Sequence, residues 1–159
     1  RRLLYLASPV TNVVYSINLD QNGSSAKRVA YIREAEAVGP IVFDGGRNRL
    51  MLGDAARGVL YEVNVTNGTY QKIASGLGRP ISLGMDTAFK TLYLADALTG
   101  RIHVFRLENG AFKQADAITT GLRTLAAVSQ GPDDTVFVAD GIGAYQLSLK
   151  TKTLSRFTY

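Results

Sequence analysis

A short, strongly apolar segment occurs four times in this chain. The copies are Leu4-Tyr5-Leu6-Ala7-Ser8, Leu50-Met51-Leu52-Gly53-Asp54, Leu92-Tyr93-Leu94-Ala95-Asp96 and Val136-Phe137-Val138-Ala139-Asp140. Each runs aliphatic, large, aliphatic, small, and ends on a polar residue. The polar ends lie 46, 42 and 44 residues apart. Apolar side chains at successive positions mark a strand that must be covered on both faces. A unit containing such a strand cannot bury it alone, so neighbouring units must stack against one another.

The rest of the unit repeats as well. Seven residues after Ser8, Asp54 and Asp96 come Tyr15, Tyr61 and His103, and five after Asp140 comes Tyr145. From these positions apolar residues alternate, as in Tyr61-Val63-Val65 and His103-Phe105-Leu107. Period two is the mark of a strand with one apolar face. The intervening residues are mostly polar, among them Ser16, Glu62, Arg106 and Gln146.

Asn67-Gly68 and Asn109-Gly110 then read as type I′ hairpin turns, with Asn22-Gly23 in a longer equivalent loop. More polar strands follow near residues 28–32, 70–73, 112–115 and 154–157, as suits an outer edge. A further strand opens three of the units, at Pro40–Phe43, Ile81–Met85 and Leu125–Val128. We denote the four positions A, B, C and D, from the opening strand to the outer edge. Residues 33–38 are the only helix-friendly patch and are too short to form a stable helix.

Four antiparallel strands in about 40–45 residues define a β-propeller blade. The expected fold is all-β, with four four-stranded antiparallel blades, the first lacking its inner strand. Blade limits fall at 1–37, 38–78, 79–122 and 123–159. Fifteen strands rather than sixteen leave the first B strand with an uncovered apolar edge. This predicts part of a larger propeller, completed by upstream blades or by a second chain.

Composition narrows the chemistry. The chain has 159 residues, no Cys and one His, which excludes a disulfide scaffold, a thiol nucleophile and a multi-histidine metal site. Nothing approaches the ~18 apolar residues of a membrane-spanning helix. Arg1-Arg2 is followed by too few apolar residues for a signal peptide. The compartment stays open, with export (periplasmic or extracellular) slightly favoured. Net charge is +5, from 18 basic and 13 acidic residues, and no basic run exceeds two. A mildly basic surface suits small anionic ligands.

Leu92–Asp96 with Gly100-Arg101-Ile102-His103-Val104-Phe105 resembles the NHL-repeat pattern of propeller blades, as does Val136–Asp140. The six-bladed gluconolactonase-like and strictosidine-synthase-like families show a similar strand. Resemblance to the gluconolactonase group implies a divalent cation at the channel mouth, held by Glu, Asn and Asp, with the Asn following a Pro that opens strand A. The matching stretches here are Pro40-Ile41-Val42, Pro80-Ile81-Ser82 and Thr124-Leu125-Ala126, none of which carries such a ligand. A metal-dependent lactonase or hydrolase is therefore the alternative. The principal expectation is a non-catalytic module that presents a loop face to a protein, a glycan or a small anionic ligand. A nucleic-acid-binding NHL-type propeller is the weaker alternative.

Candidate ligand-binding residues are Arg79, Arg123, Asp54, Asp96 and Asp140; none is assigned a catalytic role. The aspartates recur with the blade, so turn-bracing by their carboxylates is the expected role. His103 fills a slot that holds Tyr in the other blades, which argues for a shape requirement rather than a general base. Arg79 and Arg123 each stand 17 residues before an aspartate, in the D-to-A connections of neighbouring blades. The expectation is a positive rim at the channel mouth. Asn22-Gly23-Ser24, Asn64-Val65-Thr66 and Asn67-Gly68-Thr69 match the glycosylation acceptor pattern.

Overall fold

The computed structural model of the protein describes residues 2–21 and 25–157. Fifteen strands lie within them, in four separate antiparallel sheets. The first sheet holds β1 (Leu3–Ser8), β2 (Val13–Asn18) and β3 (Lys27–Tyr31). The second holds β4 (Val38–Asp44), β5 (Arg49–Asp54), β6 (Val59–Asn64) and β7 (Tyr70–Ala74). The third holds β8 (Pro80–Met85), β9 (Thr91–Asp96), β10 (Arg101–Glu108) and β11 (Ala111–Thr119). The fourth holds β12 (Leu125–Gln130), β13 (Thr135–Asp140), β14 (Ala144–Ser148) and β15 (Leu154–Arg156). Within each sheet the strands pair in chain order, so every blade is a simple meander.

Strand alternation sends successive side chains to the two neighbouring blades. In β9, Leu92 and Leu94 join Met51, Leu60 and Leu77 in the cluster shared with the second blade. Tyr93 and Ala95 join Val136 and Val138 in the cluster shared with the fourth. A third cluster, with Val14, Ile32, Leu50 and Leu52, binds the first blade to the second. Each fully buried Leu, Ile or Phe contributes about 1.5–3 kcal/mol. The apolar period read from the sequence is thus the glue between blades. Near the hub, the Val128 N–H donates to Ser82 Oγ at 3.1 Å, tying β12 to β8.

Equivalent positions superpose in register. Leu6 lies opposite Tyr15, Leu52 opposite Tyr61, Leu94 opposite His103 and Val138 opposite Tyr145. His103 occupies the tyrosine slot of its blade. The shorter spacing in the last blade comes from a tighter B–C turn and leaves this pairing unchanged.

The first sheet has three strands, with β1 innermost. Its Leu4 and Leu6 are 44% and 43% exposed, whereas their counterparts Leu50, Leu52, Leu92 and Leu94 are at most 1% exposed. Those two leucines face the side on which the described residues supply no blade.

Three local readings change. The C strands begin two residues earlier than the alternation suggested, at Val13, Val59 and Arg101, and one earlier at Ala144. Leu19, Val65 and Leu149 lie beyond them, in the turns. Asn109-Gly110 has positive φ at both residues (50° and 81°), as a type I′ turn requires. Asn67-Gly68 does not: only Gly68 is left-handed, at φ 72°. There the Gly68 N–H reaches back to the Asn64 carbonyl at 2.9 Å, closing a longer loop. Asn67 is held by accepting the Thr69 N–H at 3.0 Å. Asn22-Gly23-Ser24 lies outside the described residues.

Candidate ligand-binding face

The B–C turns and the D-to-A connections meet on one side of the arc, and the blade aspartates join them. Asp54 accepts the N–H groups of Ala56 and Arg57 in its own turn, at 3.1 and 3.2 Å. It also accepts those of Glu36 and Ala37 in the connection before its blade, at 2.9 and 3.1 Å. Asp96 repeats the clasp one blade on. It takes the N–H groups of Leu98 at 2.8 Å, Thr99 at 3.3 Å and Arg79 at 2.8 Å, and the Thr99 hydroxyl. Burial opposes ionisation of Asp96, but these donors outweigh it and hold the carboxyl below the usual range. The clasp needs a glycine at position 78. A Cβ built there would sit 2.2 Å from the Asp96 oxygens, and φ is +65°.

Asp140 is less engaged. It accepts the Ile142 and Gly143 N–H groups, both at 2.9 Å, and the Tyr145 hydroxyl lies 3.5 Å away. Among the described residues no hydrogen bond joins it to the 120–124 connection.

This geometry explains the offset of 17 residues at Arg79, though not at Arg123. The N–H of Arg79 donates to Asp96, and its carbonyl accepts the Ala97 N–H at 3.0 Å. Ala37 plays the same part beside Asp54, through its N–H and through the Ala55 N–H at 2.9 Å. The backbone sets the position and leaves the side chain free to vary. Arg79 and Arg123 are both exposed. Neither guanidinium has an ion pair or hydrogen bond among the described residues.

His103 is 5% exposed. Its Nδ1 lies 3.0 Å from the Gln114 amide nitrogen and accepts from it. Nε2 then carries the proton and points at Asp96 Oδ2, 3.7 Å away, an electrostatic contact too long for a hydrogen bond. Burial drives the imidazole pKa down; Asp96 opposes this without overcoming it. Tyr145 faces Asp140 in the same sense.

A cation site of the gluconolactonase kind does not fit these residues. Ile41, Val42, Ile81, Leu125 and Ala126 offer no donor at the strand starts. Among the described residues no three His, Asp or Glu side chains gather as such a site requires.

Two features escaped the sequence. Glu62 reads as a solvent-facing strand residue, yet it is 2% exposed and lies 3.0 Å from both Arg47 and Arg49. Arg47 also pairs with the buried Asp44 at 2.7 Å, donates to the Gly110 carbonyl at 2.8 Å and stacks on Phe112. Charges read as a polar face therefore seal the joint between the second and third blades. The other feature is a groove along the seam between the first and second blades, bounded by Glu34, Arg57, Tyr61 and Tyr70.

Comparison with known structures agrees with this architecture. The chain superposes on a protein of the nidogen/laminin complex with a TM-score of 0.81 at 18% identity, over 99% of its own length and 60% of that chain. It matches virginiamycin B lyase from Staphylococcus aureus with a TM-score of 0.74 at 11% identity, over 98% of its length and 52% of that chain. Hydrazine synthase of Kuenenia stuttgartiensis gives 0.79 at 15% identity, over 96% and 44%. The shared fold is a β-propeller. The chain spans about half the length of these propeller-bearing proteins. By sequence, neither a protein-family profile nor a curated protein matches.

Proposed function

We propose that this propeller module binds a partner on the face of its B–C turns, with Arg79 and Arg123 contacting an acidic group. One observation carries the reading. The carboxylates of that face are occupied in bracing turns, while two arginines at equal offsets in neighbouring connections have no side-chain partner among the described residues. Asp54, Asp96 and Asp140 then serve the site by fixing the turns that surround those arginines. An arginine presents a planar fork of donors suited to a carboxylate. One of the similar structures belongs to a nidogen/laminin complex, which supports a protein as the partner. Exposure of Leu4 and Leu6 supports a second element of the reading: another blade, from this polypeptide or a second copy, covers β1.

The test is an array of acidic peptides probed with the protein and with an Arg79→Ala/Arg123→Ala variant. Binding is expected to weaken as salt rises and to fall about tenfold or more in the variant, with an unchanged melting temperature. Unchanged affinity together with a lower melting temperature would make the arginines structural and end this reading.

A further inference from the structure

We propose that the seam between the first and second blades is a binding site for an acidic oligosaccharide, separate from the Arg79–Arg123 face. Two adjoining cavities, of about 460 and 530 Å³, line this seam and share Glu34 and Tyr70. Together they reach the upper end of the ~300–1,000 Å³ range of small-molecule sites. One lobe lies towards Arg57, Tyr61 and Lys72; the other lies towards Arg28, Tyr31 and Arg33.

The lining combines two kinds of group that a charged sugar needs. Tyr31 and Tyr70 supply rings with a polar tip, against which the C–H face of a pyranose can lie, while Tyr61 is buried behind Tyr70. Tyr31 is 48% exposed. Arg28, Arg33 and Lys72 are exposed and form no ion pair among the described residues, so their charge is available to a uronate or sulfate. Arg57 is engaged by Glu36 at 3.4 Å, in an exposed pair. Glu34 is the one carboxylate in the lining. Its Oε2 accepts the Tyr70 hydroxyl at 2.5 Å, and Arg33 and Lys72 further favour its charged form. That carboxylate is thereby committed to the protein and leaves the groove with an excess of cations.

A short outer strand leaves the groove open. β7 has five residues and β11 has nine, so the second blade walls its seam over a shorter length. A peptide ligand would look for apolar anchor pockets. The lobes offer only Val29, Ala30 and Val59 of that kind, which favours a sugar.

Calorimetric titration with tetragalacturonate, a heparin tetrasaccharide, neutral maltotetraose and a glutamate-rich decapeptide tests the proposal. At least one acidic tetrasaccharide is expected to bind, and the neutral one is not. Arg33→Ala/Lys72→Ala and Tyr31→Ala should each weaken it by about tenfold or more, roughly the loss of one charge-assisted hydrogen bond or one ring contact. Arg79→Ala/Arg123→Ala should leave it unchanged, so this site and the face proposed above fail independently. If the double variant melts early, Arg28→Ala in the same lobe as Arg33 must show the loss instead. Absence of binding by both acidic sugars, binding that survives these replacements, or tighter binding of the peptide than of either sugar overturns the proposal.

Discussion

The two seams flanking the second blade are built from the same repeat and end up opposite in character. Between the second and third blades, Leu77, Phe112 and the Arg47 side chain fill the joint, and His103 is sealed in the aromatic slot. Between the first and second blades the slot holds Tyr61, the outer strand β7 is short, and a groove remains beside it. The repeat specifies the scaffold; single departures from it decide whether a seam is a core or a cleft.

Replacements on the two sides should separate these characters. The largest effect is expected for Phe112→Ala. That side chain is 3% exposed and supports Arg47 at 4.8 Å, so a loss of about 3–5 kcal/mol should appear in denaturant unfolding. A loss below about 1 kcal/mol would mean the seam closes without it. Glu62→Gln comes next, at about 2 kcal/mol, because it removes a buried charge from two arginines that reach solvent at one end.

The third comparison is by pH. His103 has a folded pKa below its unfolded value, because burial disfavours the imidazolium. Above about pH 6.5 both states are neutral and nothing is lost; below it the unfolded chain takes up the proton first. Stability should therefore fall as pH drops from about 6.5, and His103→Tyr, which restores the residue of the other slots, should flatten that part of the profile. Equal slopes in both proteins would remove His103 from the account. Tyr70→Phe should have the smallest effect. In the open seam its hydroxyl bond to Glu34 is exposed, so a change under about 1 kcal/mol is expected. A larger cost would show that the groove is a stressed joint rather than a vacant one.

The same contrast marks how far the sequence could be read. Whatever repeats was legible: the meander, the slot shared by Tyr61 and His103, and the aspartate closing three of the four B strands. Each copy supported the reading of the others. The groove was not legible, because it arises from a difference between copies. The five residues of β7 matter only beside the nine of β11 in the next blade. Glu62 was missed for a related reason. A polar residue at period two looks solvent-facing when a sheet has one covered face, and these sheets have two. The arginine offset was visible in the sequence, but at Arg79 it reflects a backbone clasp that Ala37 satisfies as well and that Arg123 does not make.

Every strand pairs with a chain neighbour, and the strong packing is between successive blades. Such a chain behaves as a short one-dimensional lattice, each unit stabilised by its own fold and by the neighbours it touches. Among the described residues the second and third blades have two neighbours and the outer two have one. Amide exchange should register this as a gradient, with β5, β6, β9 and β10 opening last and β1 and β15 first. A ligand bridging the first two blades would then act as a splint, slowing exchange in β1–β3 far more than in β12–β15.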